Sequence, residues 1–275
     1  MKRILLLGYG DIAQRVARLM VRRNWQAVGA CRHPDNKEVV DGVELVTADA
    51  TNEQDLRGLF RESFDAVLVT MTPDGRDREA YHKGYVIPCR HLQQVLKDVT
   101  EPPRVVYVSS TGVYGQRDGE WVDEDSPTEP DRDTGKMLLQ AEQAIAGCNA
   151  PTTILRCTGI YGPGRDRLRE KIREREATIT PAWSNRIHAD DIAGFVAYLL
   201  TQMDAPDDLY LVTDDEPAQM EAVYSYIARQ EGIEPAELPR SDEVGPRGSK
   251  RCSNKRLRAT GYELIYPTFR SGFKI

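Results

Sequence analysis

The chain has 275 residues, 40% hydrophobic and 29% charged, which is enough for a sizeable core and excludes a disordered or small stapled scaffold. Its 37 basic against 43 acidic side chains leave a net charge of −6, the wrong sign for a dedicated polyanion binder, so no nucleic-acid partner is expected. The five cysteines, Cys31, Cys89, Cys148, Cys157 and Cys252, are scattered, without a Cys-x-x-Cys pair or a histidine at ligand spacing, so the expectation is no metal and reduced thiols in a cytoplasmic protein.

Only four apolar residues, Ile4 to Leu7, separate Arg3 from Gly8, too few for a signal-peptide core or a membrane span, so neither export nor membrane insertion is expected. The sequence then alternates short apolar runs with longer amphipathic stretches, the pattern of β-α units on a parallel sheet. Strands are expected over 3–7, 26–30, 44–47, 66–70, 104–109 and 152–155, and helices over 12–23, 55–60, 81–99 and 135–145. Six strands match two mononucleotide-binding halves of a Rossmann-type, doubly wound α/β fold. Pro88 inside the fourth helical pattern predicts a kink. Past Gly162 the alternation stops, and the Arg- and Glu-rich stretch 163–184 reads as a charged, mobile helix over a cleft. A helix over 191–202, a strand over 209–213 and a helical pattern over 217–231 precede a tail rich in Pro, Gly and Arg. Residues 1–200 are expected to form the dinucleotide-binding domain and 201–275 a small substrate-side lobe.

The first βα turn carries the clearest chemistry. Gly8-Tyr9-Gly10-Asp11-Ile12-Ala13 follows a strand and opens a helix. Gly8 suits the tight turn, Gly10 lets backbone approach a pyrophosphate, and Ala13 lets helix pack on strand. The main-chain N–H groups of Tyr9, Asp11 and Ile12 then face the phosphates at a helix N-terminus. An acidic residue that would hold an NAD ribose belongs at the end of the second strand. Arg32 stands there instead, a fork suited to a 2′-phosphate, so NADP is expected ahead of NAD. Asp49, after the third strand, can accept from an adenine amino group or cap a helix. Thr70 and Met71 after the fourth strand, Ser109 at the end of the fifth and Tyr161 after the sixth are further cofactor candidates, since such folds bind ligands at the carboxyl ends of strands.

Three later segments resemble the extended short-chain dehydrogenase/reductase family of nucleotide-sugar epimerases and dehydratases. They are Val108-Ser109-Ser110-Thr111-Gly112-Val113-Tyr114-Gly115, Arg156-Cys157-Thr158-Gly159-Ile160-Tyr161-Gly162-Pro163-Gly164 and Arg186-Ile187-His188-Ala189-Asp190-Asp191. The first of these, with the tail from Lys250 to Pro267, is more narrowly similar to an atypical bacterial branch of NAD-dependent epimerase/dehydratases. The resemblance implies that Ser110 holds a substrate hydroxyl or carbonyl, and Thr111 beside it is a further catalytic candidate. Thr111-Gly112 stands where the dehydratases carry Asp-Glu, which argues against dehydration by that route.

The family's Tyr-x-x-x-Lys is missing. Counting back from Glu142, its positions hold Thr134 and Leu138, while Lys136 lies on another helix face. Tyr85, Tyr114 and Tyr161 are the candidate replacements for the proton carrier. Arg165, Asn185 and Arg186 match substrate-binding positions, and a bidentate arginine would suit a phosphate or carboxylate. His188 reads as structural, with Asp190 and Asp191 capping the next helix.

Two functions follow from these residues. One is an NAD(P)-dependent oxidoreductase or epimerase acting on a secondary alcohol of a sugar-like or nucleotide-sugar small molecule. The other is a non-catalytic NADP-binding sensor or regulator. A homodimer through the fourth and fifth helices is what the resemblance implies for assembly.

Overall fold

The computed structural model describes residues 1–274. In chain order the strands are β1 (Arg3–Leu7), β2 (Gln26–Cys31), β3 (Val43–Thr47), β4 (Ala66–Val69), β5 (Arg104–Ser110), β6 (Glu120–Val122), β7 (Thr152–Cys157), β8 (Gly159–Tyr161), β9 (Trp183–Ser184), β10 (Arg186–His188), β11 (Leu209–Val212), β12 (Ala218–Gln219) and β13 (Lys250–Cys252). The helices are α1 (Asp11–Val21), α2 (Glu53–Leu59), α3 (Arg78–Tyr81), α4 (Ile87–Leu96), α5 (Asp133–Ala146), α6 (Arg167–Arg173), α7 (Ala189–Gln202), α8 (Met220–Gln230), α9 (Lys255–Ala259) and α10 (Phe269–Gly272). None of the described helices is long and apolar enough to cross a membrane.

The chain forms two compact units, neither of them a continuous stretch. The first gathers Met1–Val113, Thr128–Arg156 and Ala193–Tyr210, and the second gathers Tyr114–Pro127, Cys157–Ile192 and the chain from Leu211 onward. Residue 200, where the sequence suggests a boundary, falls inside Ala193–Tyr210, all of which belongs to the first unit.

The first unit is built on a seven-stranded sheet of order β11-β7-β5-β4-β1-β2-β3. The pairings from β3 through β2, β1 and β4 to β5 are all parallel. Strand order reverses between β1 and β4, which is where doubly wound folds open a crevice at the carboxyl ends of their strands. The expected six strands are present, and β11 extends the sheet beyond β7. Leu5, Leu7, Val67, Val69, Val105 and Tyr107 line one face and pack against Cys89, Leu92 and Val95 of α4 and Ala141, Ala144 and Ile145 of α5. α1 turns Ile12, Ala13, Val16, Ala17 and Met20 into the interior at helical spacing.

The expected helix over 81–99 is not continuous. Arg78–Tyr81 leads into a π turn at His82–Val86, where the Ile87 N–H reaches back to the His82 carbonyl, and the α-helical bonding resumes with Pro88 in its first turn. The extra residue is accommodated just where proline, lacking an N–H, would break the ladder.

The second unit has its own core of Tyr161, Ile172, Ile179, Val223, Ile227, Phe269 and Phe273. Three two-stranded ribbons, β10-β8, β12-β9 and β13-β6, join segments far apart in sequence. Of the charged stretch 163–184 only Arg167–Arg173 is helical, tied to α8 through Arg169 and Arg173, both paired with Glu231.

Candidate functional site

Gly8 ends β1 with a φ of +88°, and a Cβ there would lie 3.0 Å from the Thr70 carbonyl and 3.1 Å from Met71 Sδ. Only glycine fits this turn. Thr70, directly after β4, secures it, its Oγ1 donating to the Gly8 carbonyl at 2.6 Å and its N–H to the Leu7 carbonyl at 2.9 Å. Gly10 precedes α1, and nothing lies within 4 Å of where its Cβ would be. No side chain caps the first turn of α1, although Asn52 and Asp77 cap α2 and α3. An N-terminus of this kind leaves amide donors and a partial positive charge facing the open space. The one acid in that turn, Asp11, is paired with Arg15 at 2.7 Å. The Tyr9 ring lies over Gly29, 2.5 Å from a Cβ there, and is buried, so this residue presents main chain rather than ring to the groove.

A groove enclosing about 310 Å³ runs over this turn, within the range of small-molecule sites. Gly8, Gly10, Arg32, Asp49, Thr70 and Met71 line it as the sequence suggests. His33, Lys37, Asp74 and Lys83 also line it, and sequence reasoning did not single them out. The Asp49 carboxylate accepts from the Thr51 N–H at 2.9 Å and hydroxyl at 2.7 Å. Burial works against its charge, but these bonds and Arg32 hold its pKa below the usual carboxylate value. Asn52, not Asp49, caps α2.

Arg32 is already engaged. Its two terminal nitrogens each donate to an Asp74 oxygen at 2.8 Å, and this forked pair draws the Asp74 carboxyl below its ordinary pKa. Lys83 forms no ion pair among the described residues, yet its charge acts on both Asp49 and Asp74. It is brought there by the π turn. The following Gly84 packs directly on Pro73, where a Cβ would come within 2.6 Å of Pro73 Cα.

At the end of β5 the two serines face different surroundings. Ser109 donates from its hydroxyl to Glu142 at 2.6 Å, and Glu142 pairs with Arg156 at 2.8 Å in a fully buried network. What Ser109 can offer a ligand is therefore main chain. Ser110 is half-buried and accepts the Gly112 N–H at 3.1 Å, leaving its own O–H to donate. Thr111 opens the short turn that follows. At the position of the missing lysine, Leu138 is buried, with Cδ1 3.4 Å from where a Gly112 Cβ would be. Lys136 is exposed and pairs with Asp133. Tyr85 packs edge-on against Tyr81, and burial pushes its phenol up to about 12.

The remaining predicted residues belong to the second unit, where several serve its scaffold. Tyr114 donates to the Asp123 carbonyl at 2.7 Å and is buried. Tyr161 stacks on Phe273 with centroids 4.3 Å apart and meets His188 edge-on. Asn185 uses its whole amide on β13, donating to the Lys250 carbonyl and accepting from Cys252, both at 2.8 Å. The main chain of Arg165 closes the turn after Gly162. His188 is buried and receives the Asp190 N–H at its Nδ1. Asp191 accepts from the N–H groups of Ile265 and Tyr266. Arg186 differs from these. Its Nε donates to Ser184 at 3.0 Å, it forms no ion pair among the described residues, and burial lowers the pKa of its guanidinium.

Fold and groove together define a dinucleotide-binding protein of the doubly wound class. The turn at Gly8, the uncapped α1 and the cationic wall at Arg32 fit the pyrophosphate and adenosine of a nicotinamide dinucleotide. The chain belongs to the NAD(P)H-binding family, whose model matches residues 8–203, and this agrees with the short-chain dehydrogenase/reductase resemblance. It is 34% identical, with a TM-score of 0.83, to the structure of a candidate NAD-dependent epimerase/dehydratase from Methylobacillus flagellatus, covering 99% of this chain and 96% of that one. It is 27% identical to protein YeeZ of Escherichia coli K12 over 97% of each chain. The fold is also that of UDP-glucuronic acid 4-epimerase from Bacillus cereus, solved with UDP-glucuronic acid and NAD, at 20% identity, a TM-score of 0.81 and coverage of 99% and 96%.

Proposed function

We propose that the protein is an NADP-dependent oxidoreductase or epimerase acting at a secondary alcohol of a nucleotide-linked sugar. The observation that carries this reading is the groove over Gly8 and Gly10 with Arg32 in its wall and Ser110, its O–H unspent, at the carboxyl end of β5. The bound cofactor supplies the hydride acceptor or donor. The glycine turn and the α1 N-terminus hold the pyrophosphate, and Arg32 meets the 2′-phosphate. Ser110 orients the alcohol through its hydroxyl.

Tyr85 is the phenol assigned to proton transfer, since Tyr114 and Tyr161 donate to main-chain carbonyls. With a pKa near 12 it keeps its proton at neutral pH and acts as donor. The substrate class is supported by the epimerase of the same fold that was solved with a nucleotide sugar.

Binding without turnover is the second reading, and Leu138 buried at the position of the tuning lysine favours it. Thermal melts with NADP, NADPH, NAD and NADH come first, because a ligand at 100 times its dissociation constant adds roughly 2.7 kcal/mol. Nucleotide sugars are then followed by nicotinamide absorbance and by chromatography of the epimers. Turnover that falls on the order of a hundredfold in Ser110→Ala supports the enzyme. Stabilisation without turnover on any nucleotide sugar supports the binder, and no stabilisation by any of the four sinks both.

A further inference from the structure

Asp74 stands where the reading above puts a ligand. Its two oxygens take both terminal nitrogens of Arg32 at 2.8 Å, the fork a phosphate would otherwise receive. The two residues are 42 positions apart, Arg32 at the end of β2 and Asp74 on the loop after β4, and both line the groove. The pair is open to water, with side chains 47% and 68% exposed, so it can be exchanged for another anion at little cost. The loop beneath is fixed more firmly, by Thr70 on Gly8 and by Pro73 against Gly84. Lys83, on the same wall, acts on Asp74 and is held by no ion pair of its own among the described residues. Three cations, Arg32, Lys37 and Lys83, and two anions, Asp49 and Asp74, thus line the groove. A 2′-phosphate, with nearly two negative charges, competes with Asp74 for the Arg32 guanidinium, and a 2′-hydroxyl does not.

We propose that Asp74 sets cofactor selectivity by occupying Arg32 ahead of the ligand: a dinucleotide with a 2′-phosphate must take the guanidinium from the Asp74 carboxylate, which Lys83 then receives, whereas one with a free 2′-hydroxyl binds with the pair closed. This rests on the reading that the groove takes the adenosine end of a nicotinamide dinucleotide.

The test is calorimetric titration of the full chain with NADPH and with NADH, for wild type, Asp74→Asn, Arg32→Ala and the double variant. Both side chains are exposed, and melting curves verify that each variant is folded. Asp74→Asn is expected to tighten NADPH about three- to fivefold and to leave NADH nearly unchanged. The gain disappears when Arg32 is alanine, because the competition no longer exists. An unchanged ratio of NADPH to NADH affinity in Asp74→Asn overturns the inference, as does an equal gain in the Arg32→Ala background. If Arg32→Ala alone leaves the ratio unchanged, or if neither dinucleotide binds the wild type, the reading beneath it fails and the inference falls with it.

Discussion

Asp214 is wholly buried in the second unit, its Oδ1 accepting the Glu216 N–H at 3.2 Å and its Oδ2 without a hydrogen-bond partner among the described residues. Burial pushes its pKa up to about 8, against an ordinary 3.8. The folded chain therefore holds a proton here that the unfolded chain releases near pH 4. Stability falls as pH rises between those two values and levels off above about pH 8. Asp191 and Glu124, also raised by burial, act in the same direction. Asp214→Asn, neutral at every pH, should flatten part of this decline, so its melting temperature is expected to drop less than that of wild type between about pH 5 and pH 8. Parallel slopes for the two proteins would sink the idea. Gly8 and Gly10 were legible because their chemistry is written within one turn, and Arg32 because it stands directly after the second strand. Asp74 and Lys83 were not, since each matters through a partner brought near only by folding. Asn185 and Tyr161 carry motif-like neighbours, yet hydrogen bonds and ring packing inside the second unit claim their side chains.

At the scale of elements, the π turn does more than accommodate Pro88. It sets Gly84 on the Pro73 backbone and so seats the loop that forms one wall of the groove. Gly84→Ala places a methyl group 2.6 Å from Pro73 Cα, and neither backbone can yield without moving helix or loop. Stability is expected to fall by about 1–3 kcal/mol, with weaker binding of both NADH and NADPH. A melting curve and two titrations check this; an unchanged melting temperature would show that the contact carries no weight. The central strands were legible because strands buried on both faces are continuous apolar runs. The ribbons of β6, β8, β9, β10, β12 and β13 were not, because two or three residues are too few to express a period. The π turn was visible only as a proline in the wrong place.

For the whole molecule, the sequence suggests a cut near residue 200, because apolar patterning is local and says nothing of which segments share a core. The first unit in fact takes in the chain as far as Tyr210. Ile154 donates to the Asp208 carbonyl at 2.8 Å, Arg104 to that of Met203 at 2.8 Å, and Thr153 to that of Asp207 at 3.2 Å. Tyr210 is wholly buried. Chains ending at residues 200 and 210 both lack most of the second unit, so comparing them isolates this short segment. The shorter one is expected to melt at least about 5 °C below the longer, or without a cooperative transition. Equal melting temperatures would mean that residues 201–210 contribute nothing to the first unit.

The late arrival of β11 also has a consequence on the ribosome. β7 is synthesised with its outer edge unpaired, and roughly fifty more residues must be added before β11 can cover it. At about 5–20 residues per second that interval is on the order of 3–10 s. For those seconds the nascent chain presents an apolar strand edge, the kind of surface that invites intermolecular pairing and that chaperones bind. Translation speed across residues 158–208 should therefore govern how much of the protein is recovered soluble, even though none of those codons encodes a residue of the groove.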